Sequence, residues 1–221
     1  MLTREVEKLY REYYGFQLEV PYTQQHLYHF SINQNLEELN KVYKSLRDEK
    51  VNVFVEIGGA SGGSLWMYAN LLCEKGAEIV VIEPERRREL CFICNKLSQL
   101  GYKVKQIHQN SMMALASVSN EIDLLHIDGD HDEISVLNDF SFYFPKVEYG
   151  GYAILHDTDS FAGPKKLRES LETQNEDIVT YSCGDFFEFT KSNLVSGSKQ
   201  CQCGTSVIRR RELGQQTTNS I

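Results

Sequence analysis

No apolar run in the 221 residues approaches the roughly 20 that a membrane-spanning helix requires, so no membrane partner is expected. The start, Met1 to Tyr14, lacks the uninterrupted apolar h-region of a secretory signal, which leads to the expectation of a cytoplasmic protein with reduced thiols. Positive charge is scarce. With 23 Lys and Arg against 31 Asp and Glu, the net charge of −8 argues against a duplex nucleic acid partner, because phosphate binding needs a concentrated basic surface. The basic runs Arg86-Arg87-Arg88 and Arg209-Arg210-Arg211 read as solvated faces. The six cysteines, Cys73, Cys91, Cys94, Cys183, Cys201 and Cys203, lack the paired C-x-x-C spacing of a zinc ribbon, so buried inert thiols are expected rather than a structural zinc. There is no break in composition and no internal repeat. With 41% apolar and 24% charged residues, the chain reads as one ordinary folded domain.

The first fifty residues carry no strong strand pattern. Leu36, Leu39, Val42, Tyr43 and Leu46 recur at helical spacing within Asn33 to Arg47, Val6 to Tyr14 reads as another helix, and Pro21 to Phe30 as an aromatic-rich connector. Residues 1–50 are expected to form a helical leader serving as a lid or a dimer contact, although packing alone explains it equally well. From Val51 the pattern changes to short apolar runs alternating with helical stretches: Val51 to Ile57, Glu78 to Ile82, Lys103 to Ile107, Ile122 to Ile127 and Gly151 to Leu155, with weaker late runs at Ile178 to Ser182 and Thr205 to Arg209. Helical stretches fall at Ser64 to Lys75, Arg86 to Leu100, Ser111 to Val118, Asp132 to Tyr143 and Pro164 to Glu172. This predicts an α/β domain over residues 51–212, built on a doubly wound, mostly parallel seven-stranded sheet with helices on both faces, and a disordered tail over 213–221. Ligands are expected at the carboxyl ends of the strands.

After the first run stands Glu56-Ile57-Gly58-Gly59-Ala60-Ser61-Gly62-Gly63-Ser64, leading into a helix. Four glycines let the backbone turn tightly and approach a ligand. The dinucleotide fingerprint G-x-G-x-x-G is missing, which disfavours a nicotinamide-dependent oxidoreductase. The spacing present is E-x-G-x-x-x-G. It resembles motif I of the class I S-adenosylmethionine-dependent methyltransferases, in which the loop runs beneath the amino acid part of the cofactor. The resemblance makes Glu56, Gly58, Gly59, Ser61, Gly62, Gly63 and Ser64 candidate cofactor residues. Glu83 ends the second run and can take both ribose hydroxyls with one carboxylate. By the same resemblance, Gln109, Asn110 and Ser111, after the third run, would lie near the adenine.

The fourth run leads into His126-Ile127-Asp128-Gly129-Asp130-His131 and the fifth into Leu155-His156-Asp157-Thr158. Such a density of titratable groups at strand ends suits a reactive site. I-D-G-D-H followed by a helix, then G-G-Y-A-I-L-H-D-T, resembles the small-molecule O-methyltransferase family of the macrocin and mycinamicin O-methyltransferases and cephalosporin hydroxylase-like proteins. Asn33-Gln34 through Leu39 resembles that family's lead-in, and the match covers Ile32 to Thr158. It implies a Rossmann-like methyltransferase that carries S-adenosylmethionine and methylates a hydroxyl of a small molecule such as a sugar, polyketide or phenol. Metal-using relatives hold a divalent cation, magnesium or another, with residues matching Asp128, His156 and Asp157, though they carry an acid where His156 stands. Magnesium prefers oxygen ligands, which weakens its case here. The reaction is an in-line displacement that needs a base, and a histidine titrating near neutrality suits it. His131 is the first candidate and His156 the second, with Asp128 at the catalytic rim. A hydrolytic metalloenzyme and a non-catalytic cofactor-binding domain stay open as alternatives. A homo-oligomer is in keeping with related enzymes, and Trp66 reads as packing.

Overall fold

The computed structural model describes residues 1–16, 30–173, 177–181 and 203–211. The tail, Cys183, Cys201 and the connector up to residue 29 lie outside the described residues. Two leader helices come first, α1 (Arg4–Gly15) and α2 (Leu36–Leu46). Each has a side-chain cap: Thr3 accepts from the Val6 N–H, and Asn35 accepts from Glu37 and Glu38. Then follow β1 (Val51–Ile57), α3 (Gly63–Leu72), β2 (Cys73–Ile82), α4 (Arg88–Gln99), β3 (Lys103–Ile107), α5 (Ser111–Ala114), β4 (Ile122–Ile127), α6 (Glu133–Tyr143), β5 (Val147–His156), α7 (Ala162–Thr173), β6 (Asp177–Tyr181) and β7 (Thr205–Arg209).

The strands form one sheet in the order β3-β2-β1-β4-β5-β7-β6. β1 to β5 run parallel, while β7 is antiparallel to both β5 and β6. Alternation along the strands splits the core in two. Phe54, Ile79, Val81, Leu124 and Ile154 face α1 to α4, whereas Val55, Val80, Leu125, Ala153 and Leu155 face α5 to α7. The doubly wound architecture is therefore as expected from the sequence. The leader helices share the first core through Val6, Tyr13, Leu39 and Val42, all nearly inaccessible to solvent. β1 and β4 are neighbours although β2 and β3 intervene in the chain, so the winding reverses between them and opens a crevice at their carboxyl ends.

Several boundaries differ from expectation: β5 starts at Val147 rather than Gly151, α5 ends at Ala114 rather than Val118, and α3 and β2 meet earlier than read. The helix read as Ser64 to Lys75 ends at Leu72, and Cys73 already belongs to β2. Val51 pairs with Cys73 but Val53 with Glu78, so a bulge absorbs the extra residues. Lys75, with the helical run Leu71-Leu72 just before it, masked this early start.

Candidate active site

The glycine loop joins β1 to α3 at the crevice. Gly58 has φ +92°, and a Cβ there would lie 2.0 Å from the Asp128 carbonyl oxygen. At Gly59 a Cβ would meet Val81 at 2.5 Å, and at Gly63 the Ser31 carbonyl at 2.5 Å. The glycines thus meet a need the sequence reading did not anticipate: they let the loop press against the protein's own β4 and leader. Ser61 is held by the leader as well, its hydroxyl 2.7 Å from the Ser31 carbonyl and its own carbonyl accepting from the Tyr13 hydroxyl at 2.9 Å. α3 then starts at Gly63, with Gly62 as its cap residue and no side-chain cap. Its first N–H groups are of the kind that bind a carboxylate. Glu83 at the end of β2 turns towards this loop, accepting from the Ala60 N–H at 2.9 Å and the Glu85 N–H at 3.1 Å.

Glu56 and His126 sit opposite each other on β1 and β4, both fully buried, with Glu56 Oε1 2.8 Å from His126 Nδ1. Glu56 therefore braces the sheet with one oxygen, while Oε2 lacks a hydrogen-bond partner among the described residues. Tyr68 packs edge-on against the His126 ring at 5.0 Å. On the far side of the crevice, Asn110 caps α5 through the Met113 N–H, and the Ser111 hydroxyl donates to Asp139. Burial holds the Asp139 carboxyl above its ordinary value, with Ser111 opposing.

Asp128, His131, His156 and Asp157 do converge. Gln34 Nε2 donates to Asp128 Oδ2 at 2.9 Å, so the lead-in segment reaches the rim. His156 Nδ1 lies 3.1 Å from Asp128 Oδ1 and 3.4 Å from Asp157 Oδ2. His131 Nε2 lies 2.9 Å from Asp157 Oδ2 and 3.9 Å from Asp128 Oδ1. Asp157 has φ +58°, a left-handed conformation that aspartate tolerates better than most residues. Phe161 stacks flat on the His131 ring, 4.0 Å between centroids.

The charges lock one another. Burial alone would raise the Asp128 carboxyl, but His156, His131 and His126 outweigh it and hold it well below the ordinary range. Burial would likewise lower His156, yet Asp128 and Asp157 keep it well above its ordinary value. For His131 the Asp128 and Asp157 carboxylates raise the pKa to about 9 against the opposing effect of burial. The expected titration near neutrality is thereby corrected, since His131 is an imidazolium at pH 7. His156, at 2% side-chain exposure against 34% for His131, is the less accessible of the pair.

Two donor sets emerge, each with ligand atoms within 4.8 Å of one another: Asp128, His131 and Asp157, and His156, Asp157 and Cys203. Cys203 carried no signal in the sequence, because its place beside Asp157 depends on how β7 returns to the sheet. Gln34 was noticed only as part of a lead-in. Of the other described thiols, Cys94 is buried, which pushes its pKa up to about 12, while Cys73 and Cys91 are only partly buried. No helix among the described residues is long and apolar enough to cross a membrane.

Residues 55–158 match a family model described as a methyltransferase domain. An uncharacterized protein, R132, of Acanthamoeba polyphaga mimivirus is 29% identical over 134 residues, 57% of this chain. The match spans 60% of the length of that relative. Among solved structures, the O-methyltransferase TomG from Streptomyces achromogenes, involved in tomaymycin synthesis and in complex with SAM, superposes with a TM-score of 0.58 at 13% identity, covering 95% of this chain and 91% of that one. MycE methyltransferase from the mycinamycin biosynthetic pathway, in complex with Mg, SAH and mycinamycin VI, gives 0.53 at 16% identity, covering 99% of this chain and 57% of that one. At these identities the likeness is one of fold. Because the family match runs from β1 through the glycine loop to the aspartate after β5, it coincides with the crevice that the architecture opens, and over these residues the chain is similar to methyltransferase domains.

Proposed function

We propose that the protein methylates a hydroxyl group of a small molecule and that His131, once it has lost its own proton, receives the hydroxyl proton. The observation that carries this reading is the position of His131: it is half-buried at the strand-end rim, paired with Asp157 at 2.9 Å, with Asp128 lying directly against Gly58 of the glycine loop.

The residues fit S-adenosylmethionine. Glu83 offers the loop side of the crevice a carboxylate with lone pairs left over after its two backbone bonds, as ribose hydroxyls require. The uncapped start of α3 suits the cofactor's carboxylate, and the side chains of Ser61, Asn110 and Ser111 already have protein partners, so the loop's contribution is chiefly main chain. When bound, the cofactor supplies an electrophilic sulfonium methyl. His131, flanked by two carboxylates, is a strong base once it has lost its proton, and Asp128 and Asp157 stabilise the imidazolium that forms as the acceptor is deprotonated. Magnesium, present in the MycE complex, does not fit the donors here: two histidines stand among only two carboxylates, so no step is assigned to it. The net negative charge and the mycinamycin VI held in the MycE complex support a small molecule rather than a nucleic acid.

Isothermal titration with the demethylated product S-adenosylhomocysteine should give saturable heat. Glu83→Gln should weaken binding by about ten- to a hundredfold, the loss of a charge-assisted hydrogen bond, with the far-UV dichroism unchanged. Absence of heat with the folded wild-type protein would sink the assignment. Mass spectrometry of a panel of hydroxylated sugars, polyketides and phenols then reads out the acceptor.

A further inference from the structure

Cys203 reaches the rim from late in the chain. β7 runs antiparallel to β5 with Thr205 opposite His156. The N–H groups of Thr158 and Asp159 donate to the carbonyls of Gly204 and Cys203 at 3.1 and 2.9 Å. Gly204, at φ +73°, permits this close approach, because a Cβ there would fall 2.6 Å from the Asp159 nitrogen. The zipped backbone leaves Cys203 only 3% exposed, in a donor set with His156 and Asp157. Asp128 Oδ1 stands 3.1 Å from His156 Nδ1, and the other nitrogen of that ring, Nε2, is buried with no hydrogen-bond partner among the described residues.

Donor chemistry decides which ion such a site takes. Magnesium requires an oxygen shell, whereas zinc accepts thiolate, imidazole and carboxylate together. We propose that His156, Asp157 and Cys203 bind a transition ion of the zinc class in preference to magnesium, with Asp128 orienting the His156 ring from Nδ1. The Cys203 S–H bond breaks as the S–metal bond forms, and the proton passes to solvent. His131, on the more exposed side of Asp157, is left outside this set to handle the acceptor proton. The inference rests on the donor set and not on the identity of the methyl acceptor.

The chelator-stripped full chain, dialysed against zinc with magnesium in large excess, should retain one zinc per chain by plasma mass spectrometry. X-ray absorption at the zinc edge, which needs no variant, should show a sulfur neighbour at about 2.3 Å. Cobalt loading should give a near-ultraviolet thiolate-to-metal band that Cys203→Ser abolishes and Cys91→Ser leaves intact. Magnesium displacing zinc at equal concentration, a zinc shell without sulfur, or a band that survives Cys203→Ser would each overturn the proposal. S-adenosylhomocysteine titration of the same samples reports the cofactor pocket separately.

Discussion

Phe161 lies against the His131 imidazole with only 6° between the ring planes, which fixes the direction in which Nε2 points. Phe161→Ala frees that ring. Turnover should fall by about tenfold or more, the scale of a mispositioned acid–base group, while the heat of S-adenosylhomocysteine binding stays as in wild type. At the other wall of the crevice, Gly58→Ala meets both a left-handed φ and the Asp128 carbonyl. Urea unfolding should show a loss of more than about 1 kcal/mol, with the glycine loop and the β4 rim displaced together. A stability equal to wild type would mean that the two do not touch in solution.

Among the elements, α1 is more than cover for the first core. Its Tyr13 hydroxyl holds the Ser61 carbonyl, and Tyr14 holds the Ile32 N–H at 3.1 Å, so the helix ties the glycine loop to the segment that carries Gln34 to Asp128. Tyr13→Phe removes the hydroxyl that reaches the Ser61 and Ser31 carbonyls, at a cost of about 1 kcal/mol in chemical denaturation. It should also weaken S-adenosylhomocysteine binding measurably, because the loop loses its restraint. An affinity unchanged despite the lost stability would show that the helix supports the core alone. The short boundary error between α3 and β2 belongs to this scale too. Leu71, Leu72 and Cys73 form an unbroken apolar run whose periodicity cannot separate the end of a helix from the start of a buried strand.

For the molecule as a whole, the rim charges set how stability varies with pH. His131 and His156 have pKa values raised by folding, so their contribution is complete below their ordinary value of 6.5 and is lost as pH rises, through about 9 in the case of His131. Asp128 and Asp157 have lowered values, so their contribution is complete above the ordinary 3.8 and disappears on acidification. The melting temperature of chelated protein should be highest between these limits and fall on either side. A flat profile up to pH 10 would mean that the four groups do not pair. Seen at this scale, the parallel core was legible because each strand is a short β-rich run followed by its helix. Its ligand-facing ends could be read directly from position, which is how Asp128, His131, His156 and Asp157 came to light. Contacts that only the folded sheet creates were not legible. Gln34 meets Asp128 across 94 positions, Cys203 depends on the antiparallel return of β7, and Glu56 is drawn to His126 by strand register rather than by any motif.

The left-handed backbone at Asp157 limits what can replace it. Asparagine and glycine accept that conformation, whereas a β-branched or bulky residue would bend the chain there. A single Asp157→Asn exchange therefore preserves the shape of the cleft while discarding its charge. It should yield a folded protein that still takes up S-adenosylhomocysteine, seen by calorimetry, but transfers no methyl group. The same scaffold thus stands one nucleotide change away from being a pure sensor of its own cofactor.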